Sequence, residues 1–242
     1  MRRILVEKVV VGQIKLGEGE AHHLRDVLRM DVGDEVEVFD RRGGVGGGKI
    51  LLVNGSGVVV EVDGVREALR PRVQLTVAAA VPKGGRADWM IEKLSELGVE
   101  AFVPLKTERS VVELKGEAKN ERWNRLAAEA SRQSGREGVM RIERMMELRE
   151  AIERGKHEGV NIWQMSVGKD SVGIGEMVGR IRGEGKLVGE MMVLVGPEGG
   201  WSEGEMEMFK TAGIAGVRLT QSVLRVETAA VAAVAVILCS LT

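Results

Sequence analysis

The loop Gly-Pro-Glu-Gly-Gly, residues 196–200, is the part of the chain best suited to bind a small molecule. It follows the apolar run 191–195, which predicts a strand, and precedes Ser202 and Glu205, whose spacing predicts a helix with an N-terminal capping box. Glycines let the backbone approach a ligand closely, and α/β folds bind small molecules outside the carboxyl ends of parallel strands. On spacing alone, an ordinary strand-to-helix turn fits equally well.

A second segment of the same kind lies at residues 217–230. A predicted strand ends at Leu219, a loop follows, and an alanine-rich helix is predicted over residues 227–241. Glu227 stands at the start of that helix, where unpaired amides and the helix dipole favour a carboxylate. A structural capping role for Glu227 is therefore favoured over a role as catalytic base. We expect this loop and the loop at 196–200 to fold together into one pocket.

A third glycine-rich stretch, residues 43–50, nearly matches the sequence motif of a phosphate-binding loop, with Lys49 as its lysine. Such a loop needs Ser or Thr after the lysine to hold magnesium, and it must open a helix. Here Ile50 follows, and residues 50–53 predict a strand. We interpret the stretch as a flexible glycine-rich hairpin and exclude a nucleotide triphosphatase.

Composition restricts the remaining chemistry. The chain has 242 residues, of which 44% are hydrophobic and 29% charged, the balance of a soluble globular protein. The single cysteine, Cys239, excludes an internal disulfide, and no Cys/His spacing suits a metal site. The net charge is −1, so contacts to nucleic acid must come from local clusters of Lys and Arg. The longest apolar run, residues 229–239, is too short to span a bilayer, and no membrane association is expected.

The pattern of predicted secondary structure changes near residue 70. Residues 1–70 predict short strands and turns with one helix at 20–28, which suggests a small β-barrel. Residues 71–242 alternate between apolar strands and amphipathic helices, which predicts a mostly parallel α/β sheet. The helix after the first of these strands is expected to end at Gly98 and to bury the side chains of Trp89, Ile91, Leu94 and Leu97.

The two C-terminal loops carry a family resemblance. Residues 196–200, followed by Leu-Arg-Val-Glu-Thr-Ala at 224–229, resemble the paired C-terminal signature of the RsmE family. Matching blocks run through nearly the whole chain in order, at residues 23–29, 33–34, 83–86, 92–99, 104–110 and 133–136. The chain departs from the family pattern at Thr220, Gln221 and Ser222, where relatives have a glycine and often Pro-Arg, and also at Arg132 and Met140.

The resemblance implies an enzyme that uses S-adenosyl-L-methionine to methylate N3 of a uridine in small-subunit, 16S-type ribosomal RNA, either as naked RNA or as the assembled subunit. It implies a SPOUT domain in which the C-terminal segment is threaded into a trefoil knot, a PUA-like N-terminal domain, and a homodimer. The expected location is the cytoplasm, or an organelle if a targeting segment has been removed. The alternative is a non-catalytic SPOUT-like RNA-binding protein that acts in ribosome assembly.

By similarity, three sets of residues are expected to form the site. The cofactor set is Leu194, Val195, Gly196, Glu198, Gly199, Gly200, Leu219, Val223, Leu224 and Arg225. The catalytic set is Arg109, Arg136, Arg225 and Glu227, from which the sequence does not single out a general base. The RNA-binding set is Arg3, Arg25, Arg29, Lys83, Arg86, Arg109 and Arg136.

Overall fold

The chain divides into two structural units. The computed structural model describes residues 2–55, 57–69, 71–110, 117–183 and 189–241. The first unit comprises Met1–Leu69 and Ala128–Val139, and the second comprises Arg70–Ala127 and Met140–Thr242. The boundary expected from sequence, residue 70, lies outside the described residues. The domain boundary predicted from the sequence placed residues 128–139 in the second domain, whereas in the structure these residues belong to the first unit.

The first unit is built on a six-stranded sheet with the order β1-β3-β4-β5-β2, and β6 pairs with β4. Its strands are β1 (Arg2–Leu5), β2 (Gly12–Lys15), β3 (Glu35–Phe39), β4 (Gly44–Asn54), β5 (Gly57–Val62) and β6 (Arg66–Glu67). Val36 and Val38, two residues apart on β3, are both fully buried. Successive side chains of a strand point to opposite faces of the sheet, so alternate residues are buried when one face packs on the core. Helix α1 (Glu18–His22) continues as a π-helical turn, His23–Val27, where the sequence predicted a single helix at 20–28.

The glycine-rich stretch belongs to a hairpin, as expected, but most of its glycines lie in a strand of that hairpin and not in the turn. The chain reverses at residues 41–43, and the glycines that follow lie inside β4, paired with β3. A Cβ on Gly46 would lie 2.7 Å from Val62 Cγ1, and one on Gly48 would lie 2.3 Å from the Glu61 carbonyl oxygen. The glycines are therefore required by close packing within the sheet, since neither position has room for a side chain.

The second unit contains an eight-stranded sheet in which all the pairings are parallel. Its strands are β7 (Gln74–Ala80), β8 (Ala101–Lys106), β9 (Arg141–Ile142), β10 (Met146–Glu147), β11 (Asn161–Met165), β12 (Val172–Gly173), β13 (Glu190–Val195) and β14 (Ala215–Arg218). Its helices are α2 (Gly85–Leu97), α3 (Glu117–Ser134, shared with the first unit), α4 (Leu148–His157), α5 (Ile174–Gly183), α6 (Glu203–Ala212) and α7 (Val226–Leu241). The predicted parallel α/β class is confirmed.

The order of the strands positions the functional loops. The sheet runs β10-β8-β7-β13-β11-β14-β12, with β9 on β8. Strand β11 thus lies between β13 and β14. Because neighbouring parallel strands end at the same edge of a sheet, the loops that follow β11, β13 and β14 emerge side by side.

Helix α2 shows one error of the sequence analysis. Gly98 ends it in the left-handed conformation, with φ of 99°, as predicted. Trp89, however, is 45% exposed rather than buried. The buried stripe includes Ala87, Met90, Ile91 and Leu94, and at 100° per residue position 89 faces away from it. Within the described part of the chain, no helix is long and apolar enough to cross a membrane. The trefoil knot stays a prediction.

Candidate functional site

Three loops at the carboxyl edge of the sheet enclose a cavity of about 430 Å³. One follows β11, another is the glycine-rich loop after β13, and the third follows β14. The lining residues are Met165, Ser166, Val167, Gly168, Val195, Gly196, Pro197, Glu198, Gly199, Gly200, Trp201, Met206, Val217, Leu219, Thr220, Ser222, Val223, Leu224, Val226 and Ala229. The expectation that the two C-terminal loops meet in one pocket is confirmed.

Charge is nearly absent from this lining. Among the described lining residues, Glu198 is the only one that carries a charge, and there is no lysine or arginine. The rest of the lining is mostly apolar side chains and loop backbone, together with the hydroxyl residues Ser166, Thr220 and Ser222. A ligand with an apolar ring and a cationic centre is compatible with such walls, whereas a polyphosphate requires cations or oriented amides to neutralise it.

Trp201 joins the loop after β13 to the loop after β11. Its Nε1 donates to the Met165 carbonyl oxygen at 3.0 Å, and its ring packs edge-on against Phe209 with the centroids 4.9 Å apart. Gly196 lies against the indole ring, since a Cβ there would lie 2.9 Å from Cε2. Gly200 adopts φ of 70°, and its N–H donates to the Pro197 carbonyl, which closes the turn. Glycine at both positions is thus explained by conformation and packing.

A buried carboxylate supports this loop from behind. Glu205, only 1% exposed, accepts from the Ser202 N–H at 2.7 Å and from the Glu108 N–H at 3.0 Å. The Ser202 hydroxyl accepts in turn from the Glu205 N–H, which confirms the predicted capping box. Beside it, Arg109 Nη1 donates to the carbonyl oxygens of Gly199 at 2.7 Å and Trp201 at 3.2 Å. Arg109 therefore holds the loop by its backbone.

Arg86 lies between the two C-terminal loops. Its Nη1 donates to Glu198 Oε1 at 3.3 Å and to Glu227 Oε1 at 3.4 Å. Glu227 is 6% exposed, and its Oε2 has no hydrogen-bond partner among the described residues. Arg86, which was expected to bind RNA, thus contacts Glu198 of the predicted cofactor set and Glu227 of the predicted catalytic set. This contact could not be predicted from the sequence, because the three residues are far apart along the chain.

The loop after β14 folds back on itself where the chain departs from the family pattern. Thr220 Oγ1 accepts from the Ser222 N–H at 3.0 Å and donates to the Ser222 carbonyl oxygen at 3.0 Å. Val223 follows and is 68% exposed at the pocket lining. The Arg225 carbonyl accepts from the Ala229 N–H at 2.8 Å, which begins α7. The Thr220 hydroxyl thus closes a local turn.

Eight of the predicted cofactor residues line the pocket and two do not. Leu194 is fully buried in the core beside Phe209, and Arg225 is exposed. Sequence reasoning missed the segment 165–168, which forms the third wall. Four of the six residues at 160–165 are apolar and could have indicated the strand before this segment, but nothing in the sequence places that strand between β13 and β14.

In the first unit, Arg3 has mainly a packing role. Its Nε donates to Glu37 Oε1 at 2.6 Å, its Nη1 donates to the Arg136 carbonyl, and its guanidinium carbon lies 4.5 Å from the Phe39 ring centroid. The side chain is 12% exposed. These contacts direct most of the guanidinium into the protein. Its role in RNA binding, like that of Arg136, stays a prediction.

Arg25 and Arg29 lie at the end of the π-helical turn. Arg25 donates to both carboxylate oxygens of Asp26 and to the Asn54 carbonyl. The hydrogen bond from Arg25 lowers the pKa of Asp26 to about 2, although burial acts in the opposite direction. Arg29 is exposed and adopts φ of 51°, rare for a residue with a side chain. Lys83, in the second unit, is exposed, and its side chain has no partner among the described residues.

Comparison with known proteins identifies the family. A family model described as an RNA methyltransferase domain matches residues 69–238, and one described as an RNA methyltransferase PUA domain matches residues 16–63. The chain belongs to the RsmE family of RNA methyltransferases. Ribosomal RNA small subunit methyltransferase E of Aquifex aeolicus is 30% identical over 229 residues, which cover 92% of this chain and 93% of that protein. The same-named protein of Synechocystis is 28% identical, with 95% of this chain and 74% of that protein covered.

Two solved structures are similar to this chain over nearly its whole length. The ribosomal RNA small subunit methyltransferase E of Neisseria gonorrhoeae, bound to S-adenosyl methionine, has a TM-score of 0.83 and 29% identity, with 98% of this chain and 96% of that one covered. A methyltransferase of Legionella pneumophila in complex with the same cofactor has a TM-score of 0.81 and 27% identity, with 97% and 96% covered. The α/β fold with an N-terminal PUA domain is therefore shown for this chain.

Proposed function

We propose that this protein uses S-adenosyl-L-methionine to methylate N3 of a uridine in small-subunit ribosomal RNA. The observation that carries the proposal is the pocket in which both C-terminal loops meet, where Glu198 is the only charged residue among the described lining residues. The cofactor is a sulfonium cation joined to an adenosine. Apolar walls and loop backbone suit the adenosine, and a lining without Lys or Arg does not repel the sulfonium.

The reaction is mainly a positioning task. The cofactor, when bound, supplies an electrophilic methyl group. N3 of uracil is a weakly acidic imide that must lose its proton before it can attack this methyl group, and nitrogen and methyl must be held in line. The protein can lower the barrier by placing a cation beside the developing uracil anion.

Among the four proposed catalytic residues, Arg225 is the one we assign to this electrostatic role. Its side chain is exposed and has no partner among the described residues, and it directly follows Leu224 of the lining. Arg109 instead bonds the Gly199 and Trp201 carbonyls. Glu227 is paired with Arg86, which supports a structural role over that of a base. Arg136 is kept as an RNA contact.

RNA contact is proposed for Lys83 and Arg29, which are exposed, and for Arg25 and Arg136, which are partly exposed. Arg3 is also proposed, although its guanidinium packs on the protein. Phosphate contacts of this kind make binding fall steeply with salt. The family resemblance also leads us to propose a homodimer, a C-terminal trefoil knot and a cytoplasmic location.

Incubation with methyl-labelled cofactor and small ribosomal subunits that lack the modification tests the proposal. Digestion of the RNA to nucleosides is expected to give labelled 3-methyluridine. Labelled product of another kind would contradict the assignment to N3. Subunit binding without any transfer would favour the alternative, an RNA-binding protein of ribosome assembly whose altered loop at Thr220–Ser222 no longer supports the reaction.

A further inference from the structure

One nitrogen of Arg86 joins the two segments that enclose the pocket. Glu198 belongs to the loop after β13, and Glu227 belongs to the first turn of α7, directly after the loop that follows β14. Arg86 Nη1 lies 3.3 Å from a carboxylate oxygen of the first and 3.4 Å from one of the second. Arg86 itself lies in the first turn of α2, on neither loop. It is thus placed to fix the distance between them.

Glu227 depends on this cation. Its side chain is 8% exposed, and its Oε2 has no hydrogen-bond partner among the described residues. Arg86 is also the only Lys or Arg in the described part of the chain that pairs with Glu227. A buried carboxylate without a partner is strongly unfavourable. Without Arg86, the first turn of α7 is expected to move toward solvent, and this movement alters the pocket wall.

The same contacts argue against Arg86 as a ligand for RNA phosphate. Its Nη1 is shared by two carboxylates, and its Nε donates to the Lys83 carbonyl oxygen at 3.4 Å. Two carboxylates around one guanidinium leave a local charge of −1, which repels a phosphate. The neighbouring Lys83 is exposed and its side chain has no partner among the described residues, so it suits that role better.

We infer that Arg86 is a positioning residue of the cofactor pocket, which holds the loop after β13 and the start of α7 at the separation that S-adenosylmethionine binding requires. This inference rests on the proposed function, because it concerns the same pocket. Arg86 acts through Glu198 and Glu227 and does not contact the reacting atoms.

Cofactor binding and RNA binding, measured separately, distinguish the two roles. Titration calorimetry with S-adenosylmethionine is expected to show that Arg86→Met weakens binding about tenfold, within the range typical of coupled sites. The dependence of RNA binding on salt is expected to stay that of the wild type. Lys83→Ala is expected to leave the cofactor affinity unchanged and to weaken RNA binding. The slope of the logarithm of the RNA-binding constant against the logarithm of the salt concentration should become smaller by about 0.7–0.9. Arg144→Met, which removes an exposed arginine paired only outside the pocket, is the neutral control.

A mutant cycle tests whether Arg86 acts through the carboxylates. In a background of Glu198→Gln with Glu227→Gln, Arg86→Met is expected to cause no further loss of cofactor affinity, because the partners are already neutral. An equal loss in both backgrounds would mean that Arg86 contacts the cofactor directly, and it would overturn the inference. If Arg86→Met does not fold, Arg86→Lys serves instead, since an ammonium cannot reproduce the guanidinium geometry.

The wild type is measured first. A wild-type protein that binds no S-adenosylmethionine refutes the proposed function itself. A wild type that binds it, with an Arg86→Met variant of the same affinity, overturns only the inference on Arg86. Melting curves of every variant confirm that the folded protein is being compared.

Discussion

Replacing Gly196 with alanine tests whether the pocket depends on the close approach of Trp201 to the loop backbone. The new Cβ would lie 2.9 Å from Cε2, 3.0 Å from Cδ2 and 3.2 Å from Cζ2 of the indole. The ring has little room to retreat, because its Nε1 donates to the Met165 carbonyl at 3.0 Å and the ring packs against Phe209 at an interplanar angle of 80°. Either the loop or the ring must therefore move.

Such overpacking costs about 1–3 kcal/mol. A chain of this length loses about 2–4 °C of melting temperature per kcal/mol, so Gly196→Ala is expected to melt about 2–12 °C below the wild type. Because the displaced groups are the walls of the pocket, S-adenosylmethionine should also bind more weakly.

Differential scanning calorimetry with and without S-adenosylmethionine measures both effects. Gly204→Ala is the matched control, because Gly204 lies outside the pocket lining and its Cβ would meet Glu108 Oε1 at an ordinary 3.4 Å. It lies in the first turn of α6, where alanine is at least as favourable as glycine. A Gly196→Ala protein that melts and binds cofactor like the wild type would refute the reasoning on Trp201.

Three further results are expected. Glu205→Gln replaces one acceptor oxygen with a donor facing a buried N–H and should cost about 1–3 kcal/mol, seen as a lower melting temperature; an unchanged value would contradict the role of this carboxylate. Arg109→Met removes the two bonds to loop carbonyls and should cost about 0.5–1.5 kcal/mol and weaken cofactor binding in calorimetry, whereas a loss of RNA affinity alone would restore it to the RNA-binding set. The hydrogen bond from Arg66 lowers the pKa of Glu137 from 4.5 to about 2, so this pair contributes stability that is present above pH 4.5 and is lost as pH falls toward about 2. Acid unfolding of Arg66→Met should lack that part of the pH dependence, and an identical profile would contradict it.

Features set by neighbouring residues could be predicted from the sequence. The capping box at Ser202 and Glu205 needs only a spacing of three residues, and the end of α2 at Gly98 needs only a residue that tolerates a positive φ. Parallel strands were recognisable because a strand covered on both faces is apolar throughout, as in residues 191–195. The expectation that the loops after two such strands form one pocket depended on the family resemblance, because the sequence pattern does not show which strands are neighbours.

Features set by distant contacts could not be predicted. The third wall, residues 165–168, depends on β11 lying between β13 and β14, and short strands carry no signal of their order in a sheet. The role of the glycines at 46 and 48 depends on which strand lies beside them. The pairing of Arg86 with Glu198 and Glu227 depends on the same long-range order, so from sequence alone Arg86 had the properties of a surface cation.

Hydrogen–deuterium exchange with and without S-adenosylmethionine tests most directly whether the three loops bind one ligand together. On addition of the cofactor, slower exchange is expected at the same time in peptides covering residues 165–168, 195–201 and 217–226, and the amino edge of the sheet should not change. Protection of a single loop, or saturable binding that protects none of the three, would contradict the account.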